Sequence, residues 1–157
     1  MLKLRQMIPP IAVRATDGHT LRSDDFKQKR SLLLAFLHSD CAACEQYLAR
    51  LATRAAELAE RDATALVIFS APPPLSLANL PREVMVAADV SGHSQRAFLG
   101  DEAFGTARRP GSAGVGVFVT DRYGELCAQW HGPTDDALPS VGDALSCLAQ
   151  AQTTCGE

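Results

Sequence analysis

The chain has 157 residues, of which 46% are hydrophobic and 21% are charged, and its formal net charge is -3. These values are typical of one globular domain with a single core, and they exclude a disordered chain or a fibrous repeat. Lys and Arg are scattered rather than gathered in a basic stripe, so nucleic acid is not an expected partner. We therefore predict a single domain over residues 1–157.

The N-terminus and the apolar runs bear on localisation. The opening residues, MLKLRQMIPP, carry two prolines where a signal peptide needs its apolar stretch. The apolar runs elsewhere are too short to cross a bilayer. The five cysteines do not form the pattern of a small secreted disulfide scaffold. The expectation is a cytoplasmic protein with no membrane partner.

The first half of the chain predicts a strand, a helix and two more strands. Short apolar runs, typical of buried strands, cover Leu32–His38, Thr64–Ser70 and Glu83–Ala88. Between the first two, apolar residues recur at helical spacing over Cys44–Arg61. This order indicates a βαβ unit with parallel strands. The proline-rich stretch Ser70–Pro81 is predicted to be an irregular connector.

The second half predicts a hairpin and a final helix. Two strand-like runs, Gly114–Thr120 and Glu125–His131, flank the turn residues DRYG. An apolar stripe then runs along a helix predicted over Asp135–Ala151. Together these elements predict an α/β sandwich with a central mixed sheet and helices on both faces.

Cys41 and Cys44 form a C-x-x-C pair at the junction between the first buried strand and the helix that follows it. The N-terminus of a helix favours an anion such as a thiolate, so Cys41 is expected to have a lowered pKa and to act as the nucleophile. Cys44, one turn further in, would resolve the mixed disulfide. Asp40 could cap the helix, while its charge would moderate the pKa shift. The alternatives are metal binding and plain packing.

His38 lies three residues before Cys41 and gives the sequence HSDCAAC. Its imidazole could exchange protons with the leaving thiol, or it could be a structural residue. It could also complete a metal site with Cys41 and Cys44, joined by the distant His93 or His131. The other three cysteines, Cys127, Cys147 and Cys155, are interpreted as peripheral to the pair.

With these residues in place, the chain resembles the thioredoxin fold and, more closely, its redoxin branch, which includes AhpC/TSA peroxiredoxin-like proteins and TlpA-like thiol-disulfide oxidoreductases. The stretch VRATDGHTLRSDDFKQKRSLLLAF is similar to the redoxin opening, with an N-terminal β-hairpin extension and a small helix before the first central strand. MVAADVSGHSQRAF and VFVTDRYGEL resemble later redoxin segments. The resemblance implies a redox-active C-x-x-C at the first long helix, where Cys41 and Cys44 lie.

The sequence departs from the family in two places. Thioredoxins carry a cis-proline before the hairpin, and the matching region here has no proline nearer than Pro110. The resemblance implies that the backbone there docks the substrate, at Ser112, Ala113, Gly114 and Val115. Peroxiredoxins carry P-x-x-x-T-x-x-C, and neither cysteine of the pair has that proline and threonine before it.

The function predicted from these residues is thiol-disulfide exchange by Cys41 and Cys44, with proton transfers tuned by His38 and Asp40. No cofactor is expected. The partner would be a protein dithiol or disulfide, such as a thioredoxin-like reductant or a client protein. A thiol peroxidase acting on a peroxide is the alternative enzyme, and a metal-binding or metallochaperone module using His38, Cys41 and Cys44 is the alternative from another class.

Overall fold

The computed structural model describes residues 3–16, 18–26, 30–38, 42–69, 80–89, 92–99 and 114–154. The strands within these ranges are β1 (Ala12–Ala15), β2 (Thr20–Arg22), β3 (Ser31–Leu37), β4 (Ala63–Phe69), β5 (Val84–Ala88), β6 (Val115–Thr120) and β7 (Leu126–Gly132). The helices are α1 (Ala42–Thr53), α2 (Ala55–Glu60), α3 (His93–Leu99) and α4 (Val141–Thr154). Short 3₁₀ turns cover Ser23–Asp25 and Asp135–Ala137.

The strands form one mixed sheet in the order β2-β1-β5-β4-β3-β6-β7. The central strands β3, β4 and β5 are parallel, whereas β6 pairs antiparallel with β3 and β7 antiparallel with β6. The hairpin β1–β2 joins the far edge by pairing antiparallel with β5. The predicted mixed sheet with an N-terminal hairpin is therefore confirmed.

Two predicted helices differ from those in the structure. The helix expected over Cys44–Arg61 is divided into α1 and α2, because the chain turns at Arg54, whose N-H donates to the carbonyl of Leu51 at 3.1 Å. The final helix begins at Val141 rather than Asp135. The Ser140 hydroxyl accepts a hydrogen bond from the Asp143 N-H at 3.0 Å and caps α4 there. Apolar periodicity alone misses both breaks, because local backbone hydrogen bonds decide them.

The sheet separates two apolar cores. On one face, alternate residues of β3 such as Leu33 and Leu37 pack with α1, α2 and α4. On the other face, Leu34 and Phe36 pack with Phe98 of α3 and with the N-terminal hairpin. Because successive side chains of β3 point to opposite faces and both faces are buried, the strand is apolar from Leu32 to Leu37. In the part of the chain that the structure describes, no helix has the length and apolar character needed to span a membrane.

The β6–β7 hairpin turns at the predicted residues. The Asp121 carboxylate accepts hydrogen bonds from the N-H groups of Tyr123 and Glu125, at 2.8 and 2.9 Å. Gly124 adopts a left-handed conformation with φ 88°, which a glycine tolerates without strain. The DRYG sequence thus forms a tight turn that fixes the register of β6 against β7.

Candidate active site

The candidate site lies at the carboxyl edge of the parallel strands. His38 directly follows β3, Phe69 ends β4, and Asp89 directly follows β5. Gly114 enters this edge just before the antiparallel strand β6. The helix α1 begins at the same edge, so the strand-to-helix junction predicted for the cysteine pair is present. Of the predicted site residues, Asp40, Cys41, Ser112 and Ala113 lie outside the described residues.

Cys44 occupies the first turn of α1 and is completely buried. It belongs to the core that also contains Leu37, Tyr47 and Leu48. A thiol in this position is not exposed to bulk solvent. The structure thus places Cys44 as an interior thiol.

His38 and Gly114 directly flank the paired strands β3 and β6. The antiparallel register of these strands pairs Leu34 with Phe118 and Phe36 with Gly116, and His38 and Gly114 each lie two residues beyond the last of these pairs. His38 is half-buried and its Nδ1 atom is buried. His38 thus borders the carboxyl edge of the sheet, directly after β3.

Gly114 is buried, and the backbone allows nothing larger at this position. A Cβ atom built on Gly114 would overlap the carbonyl oxygen of Gly132 and would lie 3.1 Å from its carbonyl carbon. Val115 pairs with Gly132 in the adjacent register position and is fully buried. Of the predicted substrate-docking residues, Gly114 and Val115 thus lie at the candidate edge, and they present backbone rather than side chain there.

Two residues of this edge were missed by the sequence analysis. Asp89 is 2% exposed, and its carboxylate accepts a hydrogen bond from the N-H of Gln95 at 2.8 Å. Ser94, in the first turn of α3, is completely buried, and its hydroxyl makes no hydrogen bond to any residue within the described ranges. The sequence features that point to these two residues are an aspartate directly after a buried strand and, in the short helix that follows, a serine four residues before Phe98.

Tyr47 lies one turn beyond Cys44 and is 5% exposed. Its hydroxyl has no hydrogen-bond partner in the part of the chain that the structure describes. Burial, and to a smaller extent the nearby Asp143 carboxylate, raise the pKa of Tyr47. Trp130 packs against the same core. Both aromatics therefore contribute to the packing of this core.

Two of the other cysteines are described and both are half-buried. Cys127 lies in β7 with its Sγ 3.5 Å from the carbonyl oxygen of Glu125. Cys147 lies on α4, where burial first and the Asp143 charge second raise its pKa. A raised pKa lowers the thiolate fraction, so Cys147 is a poor nucleophile. Cys155 lies outside the described residues.

The alternative metal site was predicted from His38, Cys41 and Cys44, joined by His93 or His131. Among the described residues, no group of three or more His, Cys, Asp or Glu side chains could hold a metal ion. The predicted set of His38, Cys41 and Cys44 includes Cys41, which lies outside those residues.

No protein-family model matches the sequence, and no curated protein resembles it significantly. Solved structures do match the fold. A yeast mitochondrial 1-Cys peroxiredoxin is similar over 100% of this chain and 79% of its own, with a TM-score of 0.77 and 15% identity. A 2-Cys peroxiredoxin of Plasmodium vivax covers 98% of this chain and 99% of its own, with a TM-score of 0.71 and 13% identity.

A third solved structure comes from Chlorobium tepidum and is named as a thiol:disulfide interchange protein, DsbE. It matches 98% of this chain and 97% of its own, with a TM-score of 0.64 and 18% identity. Together these likenesses confirm the predicted thioredoxin-like fold, with its mixed open sheet and helices on both faces. The neighbours named here are thiol redox proteins, so the resemblance to thioredoxin-fold redoxins is supported at the level of the fold.

Proposed function

We propose that the protein is a thiol-disulfide oxidoreductase in which Cys41 and Cys44 form the redox pair. The observation that carries the proposal is the complete burial of Cys44 in the first turn of α1, at the carboxyl edge of a thioredoxin-like sheet. A buried thiol one helical turn from Cys41 suits a resolving cysteine, because it is shielded from external disulfides. Cys41 immediately precedes Ala42, the first residue of α1, where the helix dipole favours a thiolate.

The exchange proceeds in two steps that move two electrons. The Cys41 thiolate attacks a disulfide of the partner protein, forming a mixed disulfide while one partner sulfur leaves as a thiolate and takes up a proton. The Cys44 thiolate then attacks the Cys41 sulfur, closing the Cys41–Cys44 disulfide and releasing the second partner thiol. The partner gains two electrons and two protons, and the pair loses them. The reverse sequence oxidises a partner dithiol.

His38 and Asp40 adjust the proton transfers in this proposal. His38 directly follows β3, at the same edge as the start of α1, and lies three residues before Cys41 in the sequence. In this proposal its imidazole exchanges protons with Cys41. Asp40 contributes a negative charge that limits how far the pKa of the Cys41 thiol is lowered.

The partner is a protein dithiol or disulfide, docked on the backbone from Ser112 to Val115. Gly114 and Val115 bear on this role by their place, because they lie where the chain enters β6 at the carboxyl edge of the parallel strands. We place the protein in the cytoplasm, where reducing conditions would keep the pair as a dithiol between turnovers.

A thiol peroxidase is the second candidate, favoured by the peroxiredoxin neighbours with TM-scores of 0.71 and 0.77. In that reaction the Cys41 thiolate attacks a hydroperoxide, the alcohol or water leaves, and Cys41 becomes a sulfenic acid. The Cys44 thiol then condenses with it, forming the same disulfide and releasing water. The absent P-x-x-x-T-x-x-C motif ranks this reaction below disulfide exchange.

The test is a redox titration of a variant that retains only the pair, C127S/C147S/C155S, in glutathione buffers read by mass spectrometry. We expect a reversible loss of two hydrogens, with a midpoint that follows the two-electron slope of about 30 mV per tenfold change. The same variant with Cys41→Ser added is the matched control and should show no couple. A metal assay of the protein as purified runs alongside.

Cys44→Ser separates the candidates. It should trap mixed disulfides with protein partners if exchange is the function, and a dimedone-reactive sulfenic acid after hydrogen peroxide if the peroxidase is correct. A pair that never closes, or a stoichiometric metal lost in both cysteine variants, would refute the oxidoreductase proposal.

A further inference from the structure

We propose that a cavity at the amino edge of the parallel strands binds a free α-amino acid with a small aliphatic side chain. The cavity has a volume of about 110 Å³ and lies where β3 begins and β6 ends, so that Leu32 and Thr120 are part of its lining. The candidate active site is at the opposite end of β3, about 20 Å away along this strand of seven residues. This second site therefore does not depend on the redox chemistry proposed for the cysteine pair.

Hydrogen bonds hold the walls of the cavity in place. The Thr120 hydroxyl accepts a hydrogen bond from the Leu32 N-H at 3.2 Å and donates one to the Asp121 carbonyl at 3.0 Å. These bonds join the start of β3 to the end of β6. On another side, the Ile8 N-H donates to the Gly124 carbonyl at 2.9 Å and ties the N-terminal segment to the β6–β7 turn. The cavity is thus formed before a ligand arrives, as is usual for small-molecule sites.

A buried negative charge lies in the lining of this cavity. Asp121 is 3% exposed and is one of the lining residues. Its Oδ1 atom accepts hydrogen bonds from the N-H groups of Tyr123 and Glu125, whereas Oδ2 accepts none from the described residues. No basic side chain in that part of the chain forms an ion pair with Asp121. Because a buried carboxylate without a cation is costly, the ammonium group of a ligand would stabilise it.

Charges of both signs surround the mouth of the cavity. Arg30, Arg122 and Asp24 are exposed residues of the same lining. Among the described residues these three form no ion pair, and the Arg122 guanidinium lies 5.1 Å from the centroid of the Tyr123 ring. A guanidinium binds a carboxylate through two parallel hydrogen bonds. Together with Asp121, the lining contributes two positive and two negative charges, which suits a ligand that carries one of each.

The rest of the lining is mainly apolar and comes from Met7, Ile8, Pro10, Phe26 and Leu32. A cavity of about 150 Å³ holds benzene. The smaller cavity of about 110 Å³ therefore suits a branched side chain of four carbons, such as that of leucine. An amine alone would meet two unpaired arginines, and an acid alone would meet two aspartates. The zwitterion is the ligand that matches the whole lining.

The test is a titration of the full chain with L-leucine, followed by ¹H–¹⁵N NMR of the Thr120 and Gly124 amides. We expect saturable shifts of both signals. The analogue 3-methylbutylamine lacks the carboxylate of leucine, and 4-methylpentanoate lacks its ammonium. Each analogue should bind about tenfold more weakly or worse, because one charged hydrogen-bonding group is missing. Glycine, which lacks the side chain, should also bind about tenfold more weakly.

Two variants test the charged groups separately. Asp121→Asn removes the charge but keeps a side-chain oxygen for the two hydrogen bonds of the turn, and it should weaken leucine binding about tenfold. The double variant Arg30→Gln/Arg122→Gln should weaken it by a similar factor. Arg82→Gln is the matched control, because the Arg82 side chain is 92% exposed and lies outside the cavity lining.

The absence of any saturable shift at about 20 mM leucine would overturn the site. Equal binding of leucine and either analogue, or an unchanged affinity in Asp121→Asn, would overturn the recognition of a zwitterion. The ligands are compared on the wild-type chain, so this result stands even where a variant fails to fold. A chain without a redox couple at Cys41 and Cys44 would defeat the proposed function and leave the leucine titration unaffected.

Discussion

Replacing Tyr47 by Phe is predicted to stabilise the protein, although Tyr47 lies in the core of the candidate site. Tyr47 is 5% exposed, and its buried hydroxyl has no hydrogen-bond partner among the described residues. Such a group costs about 1–3 kcal/mol of desolvation, and Phe retains the ring while removing it. We expect the free energy of unfolding to rise by about 1 kcal/mol at pH 7, and the Tm by about 3 °C.

The gain should grow at high pH. Burial and Asp143 raise the Tyr47 pKa in the folded protein, whereas the unfolded residue ionises near its usual value of about 10. Above that pH the unfolded state binds fewer protons than the folded state, so stability falls as pH rises, by up to about 1.4 kcal/mol per pH unit. Tyr47→Phe removes this loss of stability. Subtracting the unfolding free energy of the wild type from that of the variant at each pH cancels the contribution of the other titrating groups.

The assay is urea unfolding at pH 7 and at pH 10.5, followed by the fluorescence of Trp130, which is the single tryptophan. Tyr123→Phe is the matched control, because that ring is 42% exposed and should change stability at neither pH. A Tyr47→Phe variant less stable than wild type by 1 kcal/mol or more would show that the hydroxyl has a partner, and would refute the reasoning.

Three further predictions concern the surroundings of the pair. Gly114→Ala should lower the free energy of unfolding by about 2 kcal/mol or more, because the new Cβ overlaps the Gly132 carbonyl; urea unfolding measures this, and an unchanged midpoint would contradict it. Asp89→Ala should cost about 1–2 kcal/mol in the same assay, since it leaves the N-H of Gln95 buried without its acceptor. Cys147 should react slowly with iodoacetamide at pH 7.5, and Asp143→Asn should raise its rate about twofold by lowering the thiol pKa; equal rates would exclude the Asp143 effect.

The sequence predicted the strands well and the helix ends poorly. The apolar run of β3 was recognisable because a strand buried on both faces needs no polar alternation. The break at Arg54 and the start of α4 at Val141 were missed, since each depends on a few backbone and side-chain hydrogen bonds that apolar periodicity does not encode.

By itself, the sequence determined the α/β class, the strand order along the chain, and the position of Cys41 and Cys44 at a strand-to-helix junction, because apolar periodicity and turn residues act locally. Only the tertiary structure decided which distant residues share that edge. The antiparallel register of β3 and β6 brought Gly114 to the edge at which β3 ends, and α3 packed against β3 through Phe98 and Phe36. Burial also separated the two faces of the sheet, and Cys44 became an interior thiol in the core on one of them. Such pairings depend on the closure of the whole sheet, and no local pattern in the chain specifies them.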